Sequence, residues 1–444
     1  MRMDAAKLEA PATERVATDR LVDIVRDART QTLAFVEGLD ADQLMGPKLD
    51  SVNPLLWEIG HVAWFQDHFV RRWLDDRAPL LPQADALYDS MKVAHDDRWD
   101  LDLPSLDGTL GYLNAVRDAV LGRLDAPLAS AEDSYFYQLV TFHEDMHNEA
   151  FAYSRQTLGY PAPRFGRWAE PAVAAGSWPG DVAVPGGRFV LGATPDAPFV
   201  FDNEKWGHAH DVAPFRIARA PGTNQEFAAF VDDDGYARAD LWSREGWAWR
   251  TRVAARHPVY WVGDRGAWRV RRYDRVVDLA PHQPVIHVAW HEAQAFCRWA
   301  GRRLPSELEW EVASVGVPAP GGRTLAPAKR RFPWGDAPPD AMRAQLDGAA
   351  GGCVDVAALP AGDSAFGCRQ MLGNVWEWTA SDFVPYPGFS ADPYADYSVP
   401  WFGTRKVLRG GCWATRARLV TPVYRNFFTP DRRDVFAGFR TCAL

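Results

Sequence analysis

His143 and His147, four residues apart, are the pair in this chain best spaced to hold a metal ion. On an α-helix an i,i+4 pair projects from one face, so both imidazoles can reach a single ion. Neutral imidazole suits iron, zinc, copper or nickel better than magnesium or calcium. His61 lies in the interior of a different predicted helix, and bundles build metal sites by turning such side chains inward from facing helices. The residues alone leave open whether His61 is a third ligand, because a histidine in an aromatic-rich helix commonly packs or hydrogen-bonds; His68 is read that way. The pair also falls within His143-Glu144-Asp145-Met146-His147, which satisfies the HExxH pattern of zinc peptidases, where the Glu is the general base. The chain lacks the downstream zinc-ligand spacing of metzincins, which makes peptidase chemistry the weaker alternative.

Helices must position these side chains. Leu21, Ile24, Val25, Ala28, Leu33 and Val36 recur near a 3.6 period and predict a helix from Thr18 to about Leu39. A second starts where Asn53 can cap and Pro54 suits the first turn, then runs through Trp57, His61, Trp64, Phe65, Phe69 and Trp73. A third covers about Ser105 to Leu124, and a fourth spans about Asp133 to Leu158 and stops at Gly159. Four such helices point to an antiparallel bundle. The connection from Asp75 to Pro104 is long enough to be functional.

Near residue 160 the composition changes: Pro161, Pro163, Pro171 and Pro179 mark a linker, and the expected domains are 1–165 and 166–444. From about 181 the chain reads as short β-like runs broken by Gly, Pro and Asp. Two helices are expected within it, Thr223 to Val231 and Trp290 to Ala300, and an exposed loop from Val315 to Arg331. The fold class is therefore α+β. A chain of 444 residues exceeds one ordinary core, which also favours two domains.

The net charge of -9, with Lys and Arg scattered, excludes a nucleic-acid footprint. Five cysteines without a CxxC pair argue against a disulfide scaffold and against a sulfur-ligated zinc or iron–sulfur centre. The N-terminus has no signal-peptide-like apolar run, and no stretch approaches the roughly 18–20 apolar residues of a membrane span. The expectation is a cytoplasmic, soluble protein with no membrane partner; its oligomeric state is not encoded in any recognisable surface.

The second half carries Pro185-Gly-Gly-Arg-Phe-Val-Leu-Gly192, Phe201-Asp-Asn-Glu-Lys-Trp206, Gly301-Arg-Arg-Leu-Pro-Ser306, Gly373-Asn-Val-Trp-Glu-Trp-Thr379, Val407-Leu-Arg-Gly-Gly411 and Phe436-Ala-Gly-Phe-Arg440. These runs resemble the formylglycine-generating-enzyme-like domain, a variant of the C-type lectin fold, across nearly the whole of that half. The paired reactive cysteines of formylglycine generation are missing, since Cys412 has no neighbouring partner. Joined to a DinB-like four-helix bundle, the chain resembles the ergothioneine sulfoxide synthase family, whose members use iron(II) and oxygen to attach a thiol to the imidazole C2 of trimethylhistidine (hercynine). That resemblance places the metal ligands on His61, His143 and His147 and identifies the metal as Fe(II), with O2 as co-substrate.

Within this family, Pro385-Tyr-Pro-Gly-Phe389, Arg409-Gly-Gly-Cys-Trp-Ala-Thr415 and Tyr424-Arg-Asn-Phe-Phe-Thr-Pro-Asp-Arg-Arg433 are similar to selenoneine synthases, which join hercynine to a 1-seleno-sugar. The resemblance thus implies a seleno-sugar donor, with a thiol (cysteine or γ-glutamylcysteine) as the alternative. Met146 stands where the thiol-using branch has a hercynine-contacting Gln, and Asn426-Phe427-Phe428 where it has Asn-Trp-Asp. Tyr386 is the expected proton donor. Trp413, Tyr424, Phe427 and Phe428 suit a trimethylammonium group, which aromatic faces stabilise without a hydrogen bond, and Asn426 suits the imidazole or carboxylate. Arg98 and His95 fall in the segment that resembles the donor-receiving loop. Glu377, Trp378, Asp202 and Asn203 are read as structural.

Overall fold

The computed structural model describes residues 16–126, 130–164 and 174–444; the expected boundary at 165/166 and Pro171 of the expected linker lie outside them. Packing divides the chain into two units. One comprises Met1–Phe165 with Pro195–Val200 and Asp392–Asp396, the other Gly166–Thr194, Phe201–Ala391 and Tyr397–Leu444.

In the first unit the helices are α1 (Thr18–Val36), α2 (Ala41–Met45), α3 (Leu55–Gln66), α4 (Ala84–Tyr88), α5 (Leu106–Arg123) and α6 (Ala131–Leu158). The long helices pack α1 on α6, α3 on α5 and α3 on α6. α6 begins with a capping box in which Ser130 and Asp133 satisfy each other's backbone amides, and ends at Gly159 in the left-handed conformation. Pro54, not Asn53, immediately precedes α3, and the Asn53 side chain instead accepts from Arg98 Nη1 at 2.6 Å. α3 runs on as a π-helical segment, Asp67–Trp73, whose buried Asp67 is held by Arg71 and the Leu80 amide. The long connection after it folds into α4 and a 3-10 turn, His95–Trp99.

α6 is buried on nearly every side between Asp133 and Asp145, so its polar groups need partners inside the bundle. Glu144 finds three: Arg29 Nε at 2.9 Å, Gln66 Nε2 at 2.6 Å and Thr32 Oγ1 at 2.6 Å. Arg29, itself 1% exposed, also donates to Gln66 Oε1 and to the Leu113 carbonyl. One ion pair thereby ties α1, α3, α5 and α6 together. Removing one partner of such a buried pair strands a charge, at a cost of about 3–5 kcal/mol. Arg29→Met should therefore destabilise the full chain by about that amount in urea unfolding, and a loss under about 1 kcal/mol would contradict the assignment.

The second unit contains two four-stranded sheets. In the first, Phe215–Ala218 lies between Asp181–Val184 and Cys442–Ala443, and Arg302–Arg303 forms the far edge, all antiparallel. In the second, the order is Asn426–Phe428, Lys406–Arg409, Trp376–Asp382, Ala437–Phe439, with the last pair parallel. Smaller sheets pair Gly187–Leu191 with His208–Val212 and join the strands between Trp261 and Asp278. Val184, Phe215, Ile217, Trp310, Met371 and Leu372 belong to one buried core.

The expected helices are present as Asn224–Asp232 and Trp290–Trp299. Two more, Arg244–Arg252 and Glu307–Val315, were not expected, although Ser306 and Glu309 form a capping box legible in the sequence. The Val315–Arg331 stretch is not wholly an exposed loop. Leu325 is buried, and its amide donates to the Gly186 carbonyl. The Gly373-Asn-Val-Trp-Glu-Trp run is structural, as expected for Glu377 and Trp378: Glu377 accepts from Trp310 Nε1 and Arg440, and Trp378 Nε1 donates to the Val288 carbonyl. Gly373, at φ +79, sits where a Cβ would meet the Gln345 carbonyl oxygen at 2.4 Å. Five cysteines all lie in buried positions. Among the described residues no helix is long and apolar enough to cross a membrane.

Glu311, fully buried, pairs with Lys329 and Arg409, and Glu307 pairs with Arg425. Glu204 is buried too, and its Oε1 has no hydrogen-bond partner among the described residues. Burial pushes its carboxyl up to about 8, against the opposing pull of Arg409 and Arg425. A carboxyl raised above its unfolded value stabilises fully below that value and loses this contribution as pH rises through the folded pKa. The melting temperature of Glu204→Gln should therefore gain on the parent as pH rises from 5 to about 8 and level off above it; an unchanging difference would contradict this.

Candidate metal centre

His61 comes from α3, and His143 and His147 from α6, one turn apart. One side-chain nitrogen from each lies within 4.8 Å of the other two. Two of the rings are oriented by their far nitrogens. His61 Nδ1 donates to the Tyr88 carbonyl at 2.8 Å, and His147 Nδ1 to Glu58 Oε1 at 2.6 Å. Protonation at Nδ1 leaves the Nε2 lone pairs available for an ion. The His143 ring stacks flat on Phe65, with centroids 3.5 Å apart. Trp57 and Trp64 flank His61 at 4.9 and 5.6 Å.

Burial, followed by the neighbouring imidazoles, drives His61 and His143 well below the ordinary histidine range. Both are therefore neutral and able to ligate at physiological pH. Gly60 makes part of this geometry possible. A Cβ there would lie 2.2 Å from the Tyr88 ring, so only glycine lets Tyr88 approach closely enough to present its carbonyl to His61. Three imidazole nitrogen donors converging in this way fit a transition metal and suit a site that keeps open positions. Glu144 rules out the peptidase alternative, because Arg29, Gln66 and Thr32 hold its carboxylate within the bundle, where no water on the ion could use it as a base.

The remaining expected residues divide between the units. In the first, the Arg98 guanidinium lies 3.9 Å over the Trp57 ring, donates to Asn53 and Val93, and has its Nε buried without a partner. His95 Nε2 bonds the Val52 carbonyl at 2.9 Å and so holds its loop. Met146 is half-buried on α6 between the two ligands. In the second, Tyr424 packs between Phe201 and Trp376, its hydroxyl 3.4 Å from that of Tyr397, and Phe427 stacks on Phe383 at 4.0 Å. Trp413 packs on Phe436, Phe428 lies under Arg432, and the Asn426 side chain accepts from the Phe427 amide.

Tyr386 has the surroundings of a core phenol. It is 5% exposed, its hydroxyl donates to Glu307, and Arg425 covers its ring at 4.1 Å. Burial and Glu307 together raise it above the ordinary phenol range. The phenol that packs with the ligand histidines is instead Tyr394, in the Asp392–Asp396 segment of the first unit. Its ring stands edge-on to Phe65 at 4.8 Å and to His143 at 6.0 Å. Asp392, two residues earlier, anchors the segment by accepting from the Tyr135 hydroxyl at 2.9 Å. Tyr394, Glu58 and Gly60 were not singled out from the sequence. Only Gly60, an isolated glycine inside an aromatic helix, carries a local signal.

Residues 169–443 match the Sulfatase-modifying factor enzyme 1-like domain, and residues 24–150 match the DinB superfamily. The chain is similar over most of its length to hercynine oxygenases. It is 40% identical to that of Mycolicibacterium thermoresistibile over 93% of this chain and 92% of the relative, and 37% identical to that of Mycolicibacterium smegmatis over 96% and 99%. Over 64% of its length it is also 32% identical to the formylglycine-generating enzyme of Streptomyces coelicolor, covering 95% of that protein. With a DinB-superfamily region that holds three converging histidines, joined to a sulfatase-modifying-factor-like domain, the chain belongs to the hercynine oxygenase family.

Proposed function

We propose that this chain is an iron(II)- and O2-dependent oxidoreductase that joins the imidazole C2 of hercynine to a thiol, giving a sulfoxide of the ergothioneine type. The convergence of His61, His143 and His147 carries the reading. The full-length relatives named for hercynine oxygenation support a thiol donor over the seleno-sugar expected from the runs around Tyr386 and Tyr424. Iron(II) held by the trio would supply oxygen activation and a coordination position for the sulfur.

The protein's own groups supply position and protons. Tyr88 and Glu58 fix two ligand rings. Arg98, pre-stacked on Trp57 with an unpartnered Nε, is suited to an anionic group of the donor, with His95 holding the loop beneath it. Tyr394, the phenol packed beside the ligand set, is the proton donor in this reading, in place of Tyr386, whose hydroxyl is committed to Glu307. For the trimethylammonium group we assign the aromatic faces of Tyr424 and Phe427, with Trp413 and Phe428, and for hercynine's polar groups Asn426 and the position of Met146.

Iron-loaded full-length protein, given hercynine, air and either cysteine, γ-glutamylcysteine or 1-seleno-glucose, should consume oxygen only with hercynine present and yield a sulfoxide with a thiol. Preference for the seleno-sugar would overturn the donor assignment, and absence of hercynine-dependent oxygen uptake would overturn the function. Tyr394→Phe should lower sulfoxide formation on the order of 10²-fold with iron content unchanged, as expected for loss of a positioned acid. Tyr386→Phe causing the larger loss would reverse the two assignments.

A further inference from the structure

Two buried carboxylates lie beside the histidine trio, and the bundle treats them oppositely. Glu144 is paired with Arg29 and bonded by Gln66 and Thr32. Glu58, 1% exposed, has no Lys or Arg within ion-pair distance among the described residues; its partner is His147 Nδ1 at 2.6 Å. Arg98 interacts with it through space and is turned onto Asn53, Val93 and the Trp57 ring. A buried carboxylate with no cation beside it is costly, and folds keep one where a missing positive charge is supplied from elsewhere.

The three ligands also differ in their far-side partners. His147 faces a carboxylate, His61 a neutral carbonyl, and the buried Nδ1 of His143 has no partner. A carboxylate behind an imidazole fixes its tautomer and raises its basicity toward an ion on the other nitrogen.

We propose that Glu58 is a positioning residue that supplies the counter-charge for a divalent cation at the trio and makes His147 its strongest ligand. This rests on the reading of His61, His143 and His147 as a metal site. Glu58 thus trades stability of the empty bundle for affinity toward the ion, which separates it from a purely structural residue. Such a residue would stabilise the protein with or without metal.

The test is a titration of the metal-free full-length protein with Co(II) at pH 8, followed by the ligand-field absorption of the ion, with melting temperatures of the metal-free forms measured in parallel. Glu58→Gln keeps an acceptor for His147 but removes the charge; it should bind Co(II) about 10- to 100-fold more weakly while its metal-free melting temperature holds or rises. Glu58→Asp, which keeps the charge at shorter reach, should lose less affinity than Glu58→Gln. Affinity of Glu58→Gln within about threefold of the parent would overturn the proposal, as would a lower metal-free melting temperature, failure to fold, or an Asp variant weaker than the Gln variant. A parent protein that takes up no Co(II) would instead overturn the metal reading itself.

Discussion

His61 rides on α3 while His143 and His147 ride on α6, so a shared ion site exists only while those two helices keep one register. Two polar contacts set it, one on each side of His61 along α3. Glu58 is bonded to His147, and Gln66 to Glu144. The second contact is anchored to α1 and α5 through Arg29. A slide of α6 by one residue would break both bonds. These directional bonds specify the register that places the ligands, because apolar faces alone tolerate repacking.

The same logic separates the two acids that flank the ligands. Glu144 looks catalytic in a pattern and is structural in space, whereas Glu58 belongs to no pattern and stands directly behind a ligand. A one-residue offset along α6 points Glu144 away from the face shared by His143 and His147, toward α1. The HExxH spacing therefore carries no peptidase chemistry in this chain.

Much of the fold was legible because its signals are local. Periodicity revealed the long helices, and Gly159 ended α6. The i,i+4 spacing placed His143 and His147 on one face, but His61 joined them only through family resemblance, since helix pairing is a long-range property. Tyr394 was illegible for the same reason: it lies about 250 residues after His143 in sequence and meets it only through the fold. Tyr386 drew attention as the phenol of its loop, yet Glu307 and Arg425 enclose it. The π-helical extension of α3 and the partner of Glu58 likewise depend on contacts that no window of sequence contains.

The claim on which the account stands is that one ion is held by three imidazoles. X-ray absorption at the iron edge of the full-length protein carrying one equivalent of Fe(II), kept free of oxygen, reads that coordination shell directly. The account predicts outer-shell scattering from three imidazole rings, falling to two in His61→Ala. A shell dominated by carboxylate oxygen, any cysteine sulfur, or an unchanged signal in His61→Ala would contradict it.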